Sequence, residues 1–215
     1  MRKGPGRGGG GAKREAVLDA ALSLFSHYGY QRTSMEDVAR KAGISKGAIY
    51  LYFESKEEIF RALSAQLLER TIEAARRAAG SEEPIAERIL GVLEAKLGHL
   101  FDIIRNSAHT ADLIDAKSRI CADIWSKGEE RYARLLSELF AAAAERGELG
   151  LDQAGWQPRE LAELLVDAAR GLQGEGESRP TGAAYRRRLG DLVALVTTGL
   201  GATAAVGKRS RLPGA

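Results

Sequence analysis

The spacing of the apolar residues constrains this chain more than any other feature of its sequence. Apolar side chains recur at steps of three and four residues from Val17 to Val196, and no stretch alternates apolar and polar residues convincingly. That period is typical of amphipathic helices, whereas a half-buried strand has a period of two. The sequence therefore predicts an all-α fold with about nine helices.

Composition excludes two broad classes of protein. The 215 residues include 32 basic and 29 acidic side chains, a net charge of +3, and a single cysteine, Cys121. One cysteine cannot form an intramolecular disulfide, and no apolar run approaches the ~20 residues that a membrane span needs. The basic N-terminus has no apolar stretch behind it, unlike a secretory signal. We therefore expect a cytoplasmic protein with no membrane partner.

Charge is unevenly distributed along the chain. Residues 1–53 carry nine basic and four acidic side chains, a balance of +5, whereas residues 54–215 have a balance of −2. Because bound cations release counterions from phosphates, such a basic front end is typical of nucleic-acid-binding proteins. A solvated basic tail without a partner is the alternative that charge alone leaves open.

Glycines and helix caps predict the domain boundaries. Gly29 and Gly43 are placed to end two helices, and Thr33 with Glu36, like Ser55 with Glu58, has the spacing of a capping box. The predicted organisation is a flexible Gly-rich basic arm (1–12), a three-helix domain (13–58), a larger helical domain (59–205) and a basic tail (206–215).

Two short predicted helices, about 35–42 and 46–53, are separated by Gly43, Ile44 and Ser45. The glycine permits a sharp turn and Ile44 can fill the angle between the helices, which is helix-turn-helix geometry. The second helix is too short to fold alone, so the preceding helices must hold it. An exposed face of Lys, Gly and Tyr suits a major groove.

The sequence from Thr33 to Ile59, TSMEDVARKAGISKGAIYLYFESKEEI, resembles the signature of TetR-type repressors. The matched features are its V-A, A-G-I-S, Y-x-Y-F and K-E positions, and the resemblance covers residues 13–60, about a fifth of the chain. It implies a homodimer that binds a palindromic DNA operator and is released by a small-molecule ligand. The residues that would touch DNA are Thr33, Ser45, Lys46, Gly47, Tyr50, Tyr52 and Lys56.

The resemblance also assigns roles to these residues. Thr33 and Ser45, at helix starts, would contact phosphates. Lys46, Gly47 and Tyr50 would face base edges. Tyr52 and Lys56 would contact the DNA backbone. Packing within the domain is the alternative for the tyrosines, and a solvated charge is the alternative for Lys56. The basic residues of the N-terminal arm could reach a minor groove or remain solvated.

The last two predicted helices, about 158–173 and 183–204, are the candidates for the dimer interface that the resemblance implies. Such a pair would meet its symmetry mate as a four-helix bundle. The expected seam consists of Leu161, Leu164, Leu165, Ala168, Leu172, Leu189, Leu192, Val193 and Val196. The alternative is that these stripes face the core of their own chain.

A ligand pocket is expected among the helices of residues 85–145. Its candidate lining residues are His99, Phe101, Cys121, Trp125 and Tyr132, although aromatic residues at helical spacing are more often plain core. No two histidines have a metal-ligand spacing and Cys121 has no partner thiol, so no metal or cofactor is expected.

Two other functions remain open from sequence alone. One is a helical dimeric ligand-binding module that does not read DNA, and the other is a helical enzyme. No Ser/His/Asp set, phosphate loop or carboxylate–histidine cluster is found in the sequence, so we expect no enzymatic activity.

Overall fold

The computed structural model describes residues 9–105, 109–172 and 182–201, without the side chains of residues 97–105. That part of the chain forms nine α-helices and no strand, which confirms the predicted all-α fold. The helices are α1 (Gly9–Tyr28), α2 (Met35–Lys41), α3 (Lys46–Ile49), α4 (Lys56–Ala79), α5 (Ile85–Arg105), α6 (Thr110–Ile120), α7 (Ala122–Glu145), α8 (Pro158–Gly171) and α9 (Gly182–Gly199).

The chain divides into two compact units. Unit 1 comprises Met1–Arg70 and Gly98–Gly128, and unit 2 comprises Thr71–Leu97 and Glu129–Ala215. Unit 1 therefore contains more than the predicted domain of residues 13–58, because it also takes in the beginning of α4, all of α6 and the first residues of α7. The helices that would read DNA share one packed unit with helices from much later in the sequence.

Unit 1 is built around an aromatic and aliphatic core. Phe25 and Phe60 have ring centroids 5.6 Å apart, and Tyr30 lies 5.4 Å from Phe25 and 5.0 Å from Phe60. Val17 from α1 and Ile49 from α3 are completely buried in the same cluster. Since α3 has only four residues, this packing rather than its own hydrogen bonds must hold it in place.

In unit 2, α8 and α9 each bury one apolar stripe. Leu161 and Leu165 of α8 and Leu189 and Val193 of α9 are at most 3% exposed. The hydroxyl of Tyr185 donates to the carbonyl oxygen of Ala169 over 3.0 Å and so ties the two helices together.

The ends of two elements differ from the sequence prediction. Helix α1 begins at Gly9, so residues 9–12, which were predicted to belong to the flexible arm, are helical. Extending an existing helix costs much less than nucleating one, which lets α1 continue into the glycines. Helix α3 ends at Ile49 rather than near Phe53, and residues 50–52 form turns.

Among the described residues, none of the helices combines the length and the apolar character that crossing a lipid bilayer requires.

Candidate nucleic-acid interface

The turn between α2 and α3 has the geometry that its glycine predicts. Gly43 adopts a φ of 69°, and its N–H donates to the carbonyl oxygen of Arg40 over 3.2 Å. The N–H of Ile44 donates to the carbonyl oxygen of Ala39 over 3.0 Å, which completes a Schellman motif. Ile44 packs against the core of unit 1. The turn therefore fixes the direction in which α3 leaves α2.

The cap of α2 lies one residue later than predicted. Ser34 is the N-cap, its hydroxyl accepts from the N–H of Asp37, and the carboxylate of Asp37 accepts from the N–H of Ser34. The Ser34 hydroxyl also donates to the Asp37 carboxylate over 2.6 Å, and this bond, together with the one from the Ser34 N–H, lowers the pKa of Asp37. The predicted pairing of Thr33 with Glu36 is wrong, because Thr33 is buried and its hydroxyl donates to the carbonyl oxygen of Gly29 over 2.7 Å. The phosphate contact expected of Thr33 stays a prediction.

Helix α3 is held from one side and open on the other. Ser45 caps it, as predicted, by accepting from the N–H of Ala48 over 3.2 Å. Ile49 and Phe53 are buried, whereas Tyr50 is 50% and Leu51 82% exposed. Because Tyr50 lies close to these buried residues, its backbone is held in place while its ring and hydroxyl remain available to another molecule.

Helices α1 to α3 and the turns between them carry exposed cations. The ammonium of Lys46 lies 2.9 Å from the Glu36 carboxylate, and this hydrogen bond raises the pKa of Lys46. Both side chains are more than half exposed, so the pair is free to exchange for a phosphate. The other exposed basic side chains of α1 to α3 and their turns are Lys13, Arg14, Arg32, Arg40 and Lys41.

The position of Arg14 connects α1 to the end of the α3 segment. Its guanidinium carbon lies 4.9 Å from the centroid of the Phe53 ring. This cation–π contact places a positive charge from α1 close to the segment that carries Tyr50. Gly47, which was predicted to let DNA approach the backbone, is exposed, and no atom lies where its side chain would be.

Lys56 and Tyr52, which are predicted to contact the DNA backbone, make contacts inside unit 1. Lys56 donates to the carbonyl oxygens of Tyr30 and Thr33 over 2.8 and 2.9 Å. Burial lowers the pKa of its ammonium. Tyr52 is half-buried and packs against the core of unit 1. Lys56 therefore holds the turn between α1 and α2 in the DNA-free protein, and its phosphate contact stays a prediction.

A second contact that holds the turn between α1 and α2 was not predicted from the sequence. The Asp112 carboxylate of α6 accepts from the N–H of Gln31 over 3.0 Å. A side-chain carbon on Gly29, whose φ is 83°, would lie 2.5 Å from that carboxylate. Gln31 and Asp112 are 81 positions apart in the sequence. The one sequence signal for their contact is the acidic residue in the first turn of α6.

The structure separates the predicted dimer residues into two sets. Leu161, Leu165, Leu189 and Val193 are buried within their own chain and therefore cannot form a seam with another, which corrects that part of the prediction. Leu164 is 51% exposed, and Ala168, Leu172, Leu192 and Val196 are partly exposed. Leu195, which was not predicted, is 74% exposed on α9.

The predicted ligand-pocket residues are divided between the two units, and a common pocket stays a prediction. Cys121 and Trp125 belong to unit 1 and Tyr132 to unit 2, while the side chains of His99 and Phe101 lie outside the described residues. Cys121 is completely buried, and burial raises the pKa of its thiol. Burial likewise raises the pKa of Tyr132 to about 12. Within the described ranges no cluster of His, Cys, Asp and Glu could hold a metal ion.

Unit 2 contains a cluster of charges that the sequence did not reveal. Lys96, with 8% of its side chain exposed, lies 2.5 Å from the Glu129 carboxylate, and Arg170 lies 2.9 Å from the same carboxylate. Burial lowers the pKa of Lys96. For Glu129, burial acts in the opposite direction, but hydrogen bonds from Lys96 and Arg170 leave its pKa below the usual value. The two cations keep this half-buried carboxylate ionised.

An anchored short helix with exposed Lys46 and Tyr50, following a glycine turn, defines a helix-turn-helix DNA-binding protein. The family model described as bacterial regulatory proteins, tetR family, matches residues 17–63. A curated relative, the HTH-type transcriptional regulator YfiR of Bacillus subtilis, is 30% identical over 149 residues, which is 68% of this chain and 69% of the relative. The chain belongs to the TetR family and is a DNA-binding transcriptional regulator; proteins of this family are generally not enzymes.

Solved structures share the fold over most of the chain. A transcriptional regulator from Cytophaga hutchinsonii has a TM-score of 0.71 with 17% identity, covering 87% of this chain and 97% of that one. SmeT, the repressor of the Stenotrophomonas maltophilia multidrug efflux pump SmeDEF, has a TM-score of 0.62 with 20% identity and coverage of 94% and 96%. The complex of SmeT with triclosan has a TM-score of 0.60 with 20% identity and coverage of 95% and 98%.

Proposed function

We propose that the protein is a homodimeric repressor that binds a palindromic DNA operator through two copies of α3 and releases it when a small molecule binds. The observation that carries the proposal is the exposure of Tyr50 beside the buried Ile49. The core fixes the backbone of α3, and the tyrosine projects away from it.

The DNA contacts divide by position. Lys46, Gly47 and Tyr50 face base edges, and the exposed Ser45 contacts the DNA backbone. Lys46 exchanges its bond with Glu36 for a phosphate or base acceptor at modest cost, because an exposed ion pair contributes about 0–1 kcal/mol. Exposed Arg14, Arg32, Arg40 and Lys41 supply the salt-dependent, sequence-independent part of the affinity.

The dimer forms through α8 and α9. Leu164, Ala168 and Leu172 follow one another at four-residue steps on the outer side of α8, and Leu192, Leu195 and Val196 lie on the outer side of α9. Burying each leucine or valine stabilises by roughly 1.5–3 kcal/mol, so these two stripes from each protomer suffice for a lasting dimer. Two-fold symmetry then requires an operator with half-sites about 34–36 Å apart or a multiple of it.

Release by a ligand follows from a shift between two arrangements of the dimer. A repressor with a similar fold has been solved with triclosan bound, which supports a small-molecule ligand here. A ligand that favours the arrangement with the wrong spacing of the α3 helices lowers operator affinity by about 5–150-fold, which corresponds to coupling of about 1–3 kcal/mol. The protein needs no metal, cofactor or catalytic activity for this function, and it acts in the cytoplasm.

Binding to the DNA upstream of its own gene tests the proposal. The measurement is fluorescence anisotropy of a labelled duplex at four salt concentrations, with an unrelated duplex of equal length as control. We expect saturable binding of two chains per site, a preference for the upstream duplex and a steep loss of affinity with salt. Equal affinity for both duplexes at every salt concentration would contradict the proposal.

A further inference from the structure

Unit 1, which also contains α2 and α3, has a cavity. It measures about 40 Å³ and is lined by α1, α4, α6 and α7. Its lining residues are Leu22, Phe25, Ser26, Phe60, Leu63, Ser64, Leu67, Leu113, Lys117 and Trp125. One water needs about 10–15 Å³, whereas a cavity of about 150 Å³ admits benzene. The enclosed space therefore accepts the edge of a ring, while the rest of a ligand occupies the mouth.

The cavity is apolar at its floor and amphipathic at its mouth. Phe25, Phe60 and Leu113 at the floor are buried, whereas Ser26, Lys117 and Trp125 are only partly buried. The Lys117 ammonium lies 4.4 Å from the centroid of the Trp125 ring, so a positive charge and an aromatic face adjoin at the mouth. Two phenylalanine rings at the floor favour an aromatic edge over an alkyl chain.

One residue of the cavity lining, Trp125, carries a polar atom without a partner in the described part of the chain. The indole Nε1 of Trp125 is buried and finds no hydrogen-bond acceptor among the residues that the structure describes. A buried donor without an acceptor is destabilising, and a ligand oxygen placed beside it would satisfy it. The same oxygen would meet the charge of Lys117 if it belonged to a carboxylate.

We propose that this cavity is a binding site for a small aromatic carboxylate with one ring, whose ring edge enters among Phe25, Phe60 and Leu113 and whose carboxylate binds Trp125 Nε1 and Lys117. Because Leu22, Phe25 and Ser26 belong to α1, the ligand acts on the helix against which the DNA-reading helices pack. This regulatory consequence rests on the proposed function, whereas the binding site does not.

The fluorescence of Trp125 can report ligand binding in this cavity. The chain has two tryptophans, so Trp156→Phe leaves Trp125 as the single one. Benzoate and phenylacetate are titrated into this variant in the full chain, and the emission of Trp125 is followed. We expect a saturable change with at least one of them and weaker binding of its neutral amide. No saturable change with either carboxylate would overturn the proposal, as would a crystal structure of the soaked protein with only water in the cavity.

Matched variants locate the site. Lys117→Gln removes the charge and should raise the Kd of the carboxylate about fivefold or more, whereas exposed Lys127→Gln should leave it unchanged. Ser26→Leu blocks the mouth and should abolish binding, whereas Ser23→Leu, on the same helix but outside the lining, should not. Binding equal to that of the parent in both Lys117→Gln and Ser26→Leu would place the ligand elsewhere and overturn the proposal.

The regulatory consequence has a separate readout. Anisotropy of a labelled upstream duplex without carboxylate tests DNA binding itself, and its failure concerns the proposed function alone. Where the duplex binds, saturating carboxylate should change its affinity by about 5–150-fold. An unchanged affinity while Trp125 reports a filled site would overturn regulation through α1.

Discussion

Lys56 contacts Tyr30 in two ways at once: its ammonium lies 2.8 Å from the carbonyl oxygen of Tyr30 and 4.3 Å from the centroid of the Tyr30 ring. A third contact joins the same ammonium to the carbonyl oxygen of Thr33 over 2.9 Å. The first turn of α4 therefore fastens the turn between α1 and α2. A lysine that would be assigned to phosphate from the family signature has a structural task in the DNA-free protein.

Replacing this lysine should destabilise unit 1 in the absence of DNA. Lys56→Met leaves at least two carbonyl oxygens without their charged donor and should lower the free energy of unfolding by about 1–2 kcal/mol. The control is Lys41→Met, which removes the same charge from an exposed position and should change stability by less than about 0.5 kcal/mol. Urea denaturation followed by circular dichroism measures both. Equal stabilities of the two variants would contradict this structural role of Lys56.

Two glycines of unit 1 should respond differently to alanine. Gly29 and Gly43 both have positive φ, at 83° and 69°, so an alanine costs about 1–2 kcal/mol at either position. At Gly29 the added carbon also lies 2.5 Å from the Asp112 carboxylate, while nothing lies within 4 Å at Gly43. Gly29→Ala should therefore be the more destabilising by about 1–3 kcal/mol in thermal or urea unfolding. Equal losses would contradict the contact with α6.

The outer stripes of α8 and α9 should control the mass of the protein in solution. Leu164→Glu combined with Leu195→Glu places charges on a surface that we propose is buried between two protomers, and an unpaired buried charge is costly. Light scattering should give the mass of one chain for this variant and of two for the parent. Leu51→Glu, at a leucine in unit 1 that is more exposed than either, serves as control and should leave the dimer intact. A dimer that persists in the double variant would contradict the assignment.

Acid should reveal the ion pair between Arg61 and Asp123. The two side chains make parallel contacts of 2.8 and 2.7 Å, and this hydrogen bonding lowers the pKa of Asp123 from 3.8 to about 2. Because the folded pKa is the lower one, the stabilisation is complete above pH 4 and is lost as the pH falls towards 2. Asp123→Asn should therefore be less stable than the parent at neutral pH, and the difference should shrink below pH 4.

Unfolding by urea at half-unit steps from pH 2 to 7 measures this difference. Asp152→Asn, which changes an exposed carboxylate before α8, serves as the control and should follow the parent throughout. A difference between the parent and Asp123→Asn that stays constant from pH 2 to 7 would exclude the ion pair as its source.

Sequence reasoning succeeded where one local signal determines the outcome. Gly43 and Ile44 in a short spacer predict the turn, and Ser45 predicts the cap of α3, because backbone conformation and capping depend on neighbouring residues. The cap of α2 was displaced by one residue because Thr33-Ser34-x-Glu36-Asp37 offers two overlapping boxes. Ser34 rather than Thr33 caps α2 because the Thr33 hydroxyl donates to the carbonyl oxygen of Gly29.

Contacts between distant residues could not be predicted in this way. The bond from Gln31 to Asp112 depends on where α6 packs, and no local pattern specifies that. The same holds for α8, where Leu161, Leu164 and Leu165 look equivalent in sequence although two are buried and one is half-exposed. Periodicity identifies the apolar side of a helix, but it does not show how much of that side the core of its own chain covers.

The most direct test of DNA reading by α3 is the ratio of specific to non-specific binding in Tyr50→Ala. A duplex enriched by the parent protein from a random pool is compared with a scrambled duplex by fluorescence anisotropy at fixed salt. Tyr28→Ala, an equally exposed tyrosine on α1, is the control and should keep both affinities. We expect Tyr50→Ala to lower the affinity for the enriched duplex about tenfold or more and to leave the affinity for the scrambled duplex nearly unchanged. Equal loss on both duplexes, or none on either, would contradict it.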